Sequence, residues 1–195
     1  MNKAKIKRMA AVALLMALVV VLQFIGGMIP PVGGFSISLV LIPIVLGAAL
    51  YGPGTGALLG AVFGLIVTAN CISGADIGGQ MVFQANPVLC ILVVLGKGIL
   101  AGLASGFVYK ALKNVNSYVA MLLAAAVCPV VNTGTFVICM LTFFRDVLSV
   151  WAGGGDIMAY VLSGLMLCNF VPELIINLVF SPAGQRILHT VEKKQ

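Results

Sequence analysis

Long apolar runs recur from one end of the chain to the other, and they constrain its fold more than any other feature. A run of about 20 apolar residues can span a bilayer as an α-helix. Six such runs are found along the 195 residues, at 9–25, 37–50, 55–69, 87–112, 118–144 and 157–180. Only 8% of the residues are charged, whereas a soluble domain has about 25%. We therefore expect an all-α membrane protein with six transmembrane helices in a single domain over residues 1–195.

The placement of the basic residues predicts how this domain is oriented. The chain has 11 Lys and Arg, and its net charge is +6. With six spans, nine of those 11 fall on the side that holds both termini: Lys3, Lys5, Lys7, Arg8, Lys110, Lys113, Arg186, Lys193 and Lys194. Because basic segments stay in the cytoplasm, we predict a multi-pass protein of the cell membrane with both termini cytoplasmic. Topology accounts for the positive charge, so no nucleic-acid partner is expected.

Polar residues inside the predicted spans indicate a functional pocket. Lys97 lies in the middle of the fourth span and Glu173 lies inside the sixth, where a charge costs about 3 kcal/mol at the bilayer centre. Asn169 and Asn177 flank Glu173 at four-residue spacing, and Asn132 lies in the fifth span. Two interpretations are possible, and both can hold at once. In the first, Lys97 and Glu173 form a buried ion pair. In the second, these polar residues line a pocket for a small hydrophilic ligand.

Three further residues are expected near the rim of such a pocket. Gln84 and Asn86 precede the fourth span, and Trp151 lies in the predicted third outer loop. Tryptophan is common at membrane interfaces, so Trp151 is either an interfacial anchor or a lid over an outward-facing pocket.

Small residues repeat along three spans and predict close helix packing. Glycines recur every four residues in the third and fourth spans, at Gly56, Gly60, Gly64, Gly98, Gly102 and Gly106. Such spacing lets another backbone approach closely. The first span carries Ala10, Ala13 and Ala17 on one smooth face. This face packs within the bundle or docks a separate subunit.

Motifs for catalysis and cofactor binding are missing from the sequence. The single histidine, His189, lies in the tail, and there is neither an H-E-x-x-H motif nor a P-loop. The five cysteines are scattered without metal-type spacing, so we expect neither a metal nor a cofactor. An intramembrane enzyme that uses Lys97 with Ser105 or Ser163 stays an alternative, as does a stand-alone secondary transporter. The latter often has inverted repeats, and none is evident.

Several segments together resemble the substrate-binding (S) components of energy-coupling factor (ECF) transporters, which take up vitamins. The stretch from Gly33 to Gly64 is similar to the family's outer loop, second helix, Gly-Pro turn and glycine-rich third helix. Ala13-x-x-x-Ala17 resembles the small-residue motif of the first helix, and the segment from Ser181 to Ile187 resembles the cytoplasmic end. The sequence Pro-Val-Val-Asn-Thr-Gly-Thr-Phe, residues 129–136, is similar to pantothenate-type members.

The resemblance implies a division of labour between subunits. This chain would capture a vitamin and dock, through the alanine face of its first helix, on a transmembrane coupling subunit that works with two ABC ATPases. Transport in the family involves toppling of the S component within the membrane. Ligands in the family lie near the outer side, which matches Lys97, Asn132, Asn169 and Glu173, with Gln84, Asn86 and Trp151 nearer the rim.

Pantothenate is favoured as the substrate because its carboxylate would neutralise Lys97. We also expect these pocket residues to be too poor in aromatic rings to stack a flavin or pterin. Folate, riboflavin and lipoate stay open.

Overall fold

The computed structural model describes residues 3–28 and 38–193, and these residues form an all-α membrane protein. The helices are α1 Lys3–Met28, α2 Leu41–Tyr51, α3 Pro53–Ser73, α4 Ile77–Ala85, α5 Pro87–Leu112, α6 Ser117–Phe143, α7 Arg145–Trp151, α8 Ile157–Tyr160 and α9 Val171–Glu192. A π-helical segment, Val161–Phe170, joins α8 to α9 without a break. Within the described residues, five helical stretches are long and apolar enough to cross a membrane, and α2 is a shorter apolar helix.

Local sequence signals fix where several helices begin. The side chain of Asp76 accepts a hydrogen bond from the Gly79 N–H at the start of α4. Asn86 does the same for Leu89 at the start of α5, where Pro87 occupies the first helical position. Asn116 accepts from two backbone N–H groups at the start of α6. These caps satisfy N–H groups that have no partner within the helix.

The predicted glycine spacing is realised as the contact between α3 and α5. A Cβ atom added at Gly56 would overlap the Gly102 carbonyl oxygen, and one at Gly60 would overlap the Gly98 carbonyl. One at Gly106 would lie 2.6 Å from the Pro53 Cα. The two helices therefore meet backbone to backbone along their glycine faces, as expected for helices that pack through small residues. The prediction of close packing is confirmed, and the partner is within the same chain.

Contacts between helix ends place both ends of the described chain at one end of the bundle. Arg8 of α1 donates a hydrogen bond to the Tyr51 carbonyl at the end of α2. Gly106 meets the start of α3 at Pro53. One turn further along α5, the Tyr109 hydroxyl lies 3.3 Å from the Ser117 hydroxyl, which also accepts from Gln185 of α9. We call this the terminal end and the opposite one the cavity end.

The helices differ in extent from the predicted spans at several points. The first helix begins at Lys3 and the last continues to Glu192, well beyond the predicted 9–25 and 157–180. The helix of the second span begins at Leu41, and residues 29–37, which contain most of the segment between the first two predicted spans, lie outside the described residues. The predicted outer loops also contain two short helices, α4 and α7, that were not anticipated.

Candidate functional site

A cavity of about 830 Å³ lies at the cavity end of the bundle. Its lining comes from nearly every element: the end of α1, residue 38 before α2, the end of α3, α4, the first half of α5, the second half of α6, and the segments from α7 to α9. Polar and charged members of the lining are Gln23, Ser38, Asn70, Asp76, Lys97, Asn132, Thr133, Asn169 and Glu173. The structure thus brings together five of the seven substrate-binding residues predicted from the sequence: Lys97, Asn132, Asn169, Glu173 and Trp151.

Lys97 extends from α5 into the cavity between two aromatic rings. Its Nζ lies 4.7 Å from the centroid of the Phe136 ring and 5.8 Å from that of Phe63. Ring faces attract a cation at such distances. Among the residues that the structure describes, no direct ion pair joins Lys97 to Glu173. The ammonium group is held by rings and faces the cavity.

Glu173 of α9 is 1% exposed and links three parts of the chain. One carboxylate oxygen accepts from the backbone N–H of Ser38 at 3.2 Å, and the other accepts from the Thr133 hydroxyl at 3.4 Å. Burying a charge is tolerated when hydrogen bonds compensate for the lost water. The carboxylate therefore joins the segment before α2 to α6 and α9.

Two amide oxygens in the cavity lining have no partner within the described part of the chain. They are the Oδ1 atoms of Asn132 and Asn169, both of which are buried. Asn132 is itself only 3% exposed. A buried acceptor without a hydrogen bond costs about 1–3 kcal/mol, and a donor that reached either atom would remove that cost.

The polar face predicted for the last helix continues beyond the cavity. Asn177 is 2% exposed, and its amide donates to the Glu173 carbonyl one turn earlier. Ser181 and Gln185 extend the same buried face to the hydroxyl of Ser117 at the terminal end. Asn177 is not among the described cavity-lining residues, so it supports the packing of α9 against its neighbours.

The three predicted rim residues occupy different positions. Trp151 lines the cavity, and its ring meets that of Tyr160 with centroids 6.5 Å apart. Asn86 caps α5, and Gln84 is exposed on α4; neither is among the described residues that line the cavity.

The lining is rich in aromatic rings, which contradicts the expectation from the sequence. It includes Phe24, Phe63, Phe136, Trp151 and Tyr160. The sequence does not identify these phenylalanines, because an apolar side chain in a membrane span is equally stable against lipid and inside the bundle. The expectation that this pocket is too poor in rings for a flavin or pterin is therefore wrong.

Cysteines and acidic groups in the described residues do not assemble into a metal site. No group of three or more His, Cys, Asp or Glu side chains within that part of the chain could hold an ion. Cys71 and Cys90 line the cavity as buried free thiols.

The alanine face of α1 points away from the bundle. Ala10, Ala13 and Ala17 are all exposed, whereas Leu15 and Val19 pack into the core. This face is therefore open to lipid or to another membrane subunit.

Comparison with known proteins gives two findings. The family model described as "ECF transporter, substrate-specific component" matches residues 7–183. The chain is also 28% identical over 199 residues to "Pantothenic acid transporter PanT" of Lactococcus lactis subsp. cremoris (strain MG1363), with 94% of both chains covered.

Proposed function

Because the chain belongs to the family of ECF transporter substrate-specific components, we propose that it captures pantothenate in its cavity and delivers it to an energy-coupling module. Members of this family are transporter subunits of the cell membrane and are not enzymes. Membership therefore argues against the intramembrane enzyme that the sequence left open. Beyond family membership, we propose the vitamin, the residues that bind it and the partner subunits.

The observation that carries the proposal is the cavity with Lys97 inside it. A space of about 830 Å³ is within the usual range for small-molecule sites. A buried ammonium group without a direct carboxylate partner favours a ligand that supplies one, because the two charges compensate for each other's lost hydration. The polar side chains of Asn132 and Asn169, which belong to the cavity lining, suit the hydroxyl and amide groups of pantothenate.

The similarity to a protein named as a pantothenic acid transporter supports the same choice. That relative aligns over nearly the full length of both chains, although only 28% of the aligned residues are identical. Riboflavin and folate stay in the comparison set, because the aromatic lining offers stacking surfaces, and lipoate stays because it carries a carboxylate.

The proposed partners are a transmembrane coupling subunit and two ABC ATPases. The exposed alanines of α1, Ala10, Ala13 and Ala17, provide a smooth surface that another helix can approach closely. The chain has no P-loop of its own, so ATP hydrolysis would be supplied by other subunits.

A thermal-shift panel of water-soluble vitamins tests the proposal. Purified protein in detergent, without nucleotide, is heated with pantothenate, riboflavin, folate or lipoate. A ligand present at 100 times its Kd stabilises the folded state by about 2.7 kcal/mol. We expect pantothenate to raise the midpoint most. A shift with another vitamin and none with pantothenate would overturn the choice of substrate, and no shift with any vitamin would overturn vitamin capture.

A further inference from the structure

We infer that the molecule has a second binding site, for an anionic phospholipid, in a groove between the start of α6 and the end of α9. The groove lies at the terminal end of the bundle and shares no described lining residue with the large cavity. The site therefore concerns the contact with the bilayer, and it is independent of which vitamin the cavity binds.

The α6–α9 groove encloses about 330 Å³, at the lower end of the range for small-molecule sites. Its described lining residues are one from α6 and four from α9: Tyr118, Gln185, Arg186, His189 and Thr190. Gln185 also joins the two helices, because its amide donates to the Ser117 hydroxyl at 2.6 Å. The Tyr109 hydroxyl of α5 lies 3.3 Å from the same oxygen. The groove is thus preformed by contacts among three helices.

The charge of the lining favours an anion. Arg186 and His189 lie one turn apart on α9, and both are exposed. Tyr118, which is 68% exposed, adds a hydroxyl from α6. No described lining residue is acidic, and the nearest acidic residue along α9 is Glu192, at the end of the helix. A phosphate group suits this set of donors, because a guanidinium group can bind two of its oxygens at once.

The guanidinium group of Arg186 differs from that of the other arginine at the terminal end. Arg8 donates to the Tyr51 carbonyl, and its guanidinium carbon lies 5.7 Å from the centroid of the Tyr51 ring. The Arg186 carbonyl accepts a hydrogen bond from the Thr190 hydroxyl, but within the described residues its guanidinium group has no hydrogen bond, ion pair or ring contact. Arg186 is therefore available to a ligand, whereas Arg8 connects α1 to α2.

The apolar surface beside the groove favours a lipid over a free anion. On α9, Val179 and Ala183 lie on the same helical face as Arg186, at spacings of seven and three residues, and both are exposed. On α6, Leu122 follows Tyr118 by one turn and is 45% exposed. An acyl chain would lie along these side chains while its headgroup occupies the groove. Basic pockets between transmembrane helices recognise anionic lipid headgroups in this way.

Native mass spectrometry of the full chain in detergent tests the site, with phosphatidylglycerol and phosphatidylcholine of identical acyl chains as probes. We expect one phosphatidylglycerol per wild-type chain, with a Kd about fivefold lower than that of the zwitterionic lipid. Arg186→Gln should raise the Kd of phosphatidylglycerol about tenfold, because a hydrogen bond to a charged group is lost. Lys5→Gln is the matched control, since it removes one positive charge from an exposed residue at the same end, and it should bind like the wild type.

Inorganic phosphate and glycerophosphoglycerol distinguish a lipid from a free anion, because neither carries an acyl chain. We expect neither to displace phosphatidylglycerol when added in large excess. Displacement by either one would overturn the lipid as the occupant of the groove. Equal Kd values for Arg186→Gln and the wild type, equal losses in Arg186→Gln and Lys5→Gln, or equal Kd values for the two lipids would overturn the site itself.

Discussion

At the scale of single residues, the central feature is a pair of ionisable side chains inside the bundle, Lys97 and Glu173, that do not bind each other directly. The Lys97 ammonium group lies against Phe136 and Phe63, and the Glu173 carboxylate accepts from Ser38 and Thr133. The two side chains thus contact different groups and have different roles. Glu173 braces three segments, and Lys97 faces the space that a ligand would fill.

Replacement of Glu173 tests its bracing role. Glu173→Ala should lower the free energy of unfolding by about 1–3 kcal/mol, because the Ser38 N–H and the Thr133 hydroxyl lose their buried acceptor. Glu173→Gln should cost less, since its amide oxygen still accepts a hydrogen bond. Thermal unfolding in detergent measures both, with the exposed residue Asp146 changed to Ala as a control. Wild-type stability of Glu173→Ala would contradict the bracing role.

The position of Trp151 provides an optical probe of the cavity. It is the single tryptophan of the chain and lines the cavity beside Tyr160. Because indole emission depends on the polarity around the ring, a ligand that displaces water from the cavity should change its intensity or wavelength. We expect a saturable change during titration with the vitamin. Calorimetric binding that leaves the emission unaltered would show that Trp151 does not sense the ligand.

At the scale of helices, stability depends on the glycine contact between α3 and α5. Gly98→Ala should destabilise the protein by about 1–3 kcal/mol, as overpacking of a close contact does, because the added methyl group would meet the Gly60 carbonyl. Gly96 of the same helix has no atom within 4 Å of an added Cβ, so Gly96→Ala is the matched control and should be neutral. Equal unfolding midpoints for the two variants would contradict this packing role.

Sequence patterns predicted these long helices well because membrane length and apolar composition are strong signals. The short helix α4 was missed because nine residues that include two adjacent glycines form no apolar run, although Asp76 and Asn86 are recognisable caps. The same physics explains the missed rings. Lipid is as apolar as a helix interface, so hydrophobicity does not reveal that Phe63 and Phe136 face inward. A polar residue in a span does indicate a side that faces inward. Four residues are therefore predicted as site candidates from the sequence: Lys97, Asn132, Asn169 and Glu173.

At the scale of the whole molecule, the cavity and the chain ends lie at opposite ends of the bundle. Both ends of the described chain lie at the terminal end, which agrees with an even number of spans. Charge placement predicts that this end is cytoplasmic, and the cavity would then open toward the outside. Along the side, 17% of the residues in the most apolar stretch of α1 are buried within the bundle, compared with 50% in that of α3. Among the long helices in the described part of the chain, α1 is thus the least buried, and its outer face is open to lipid or to a partner in the membrane.

Bulk added to the alanine face of α1 should separate capture from transport. Ala13 is exposed, so Ala13→Trp should leave folding and vitamin binding intact but prevent close approach of a coupling subunit. We expect normal affinity in detergent and strongly reduced vitamin uptake by cells that supply the energy-coupling module. Leu92→Trp, at a residue 61% exposed on α5, is the control and should retain uptake. Full uptake by Ala13→Trp would exclude this face as the docking surface.

The central claim is that this chain alone, without ATP, binds pantothenate in the cavity through Lys97. Isothermal titration of purified wild-type protein with pantothenate, in parallel with Lys97→Met, tests it most directly. Loss of a buried charged hydrogen bond of about 1.5–3 kcal/mol weakens binding by about 10- to 150-fold. The account predicts one site per wild-type chain and a loss of this size in the variant. Absence of binding to the wild type, or equal affinity in the two proteins, would contradict it.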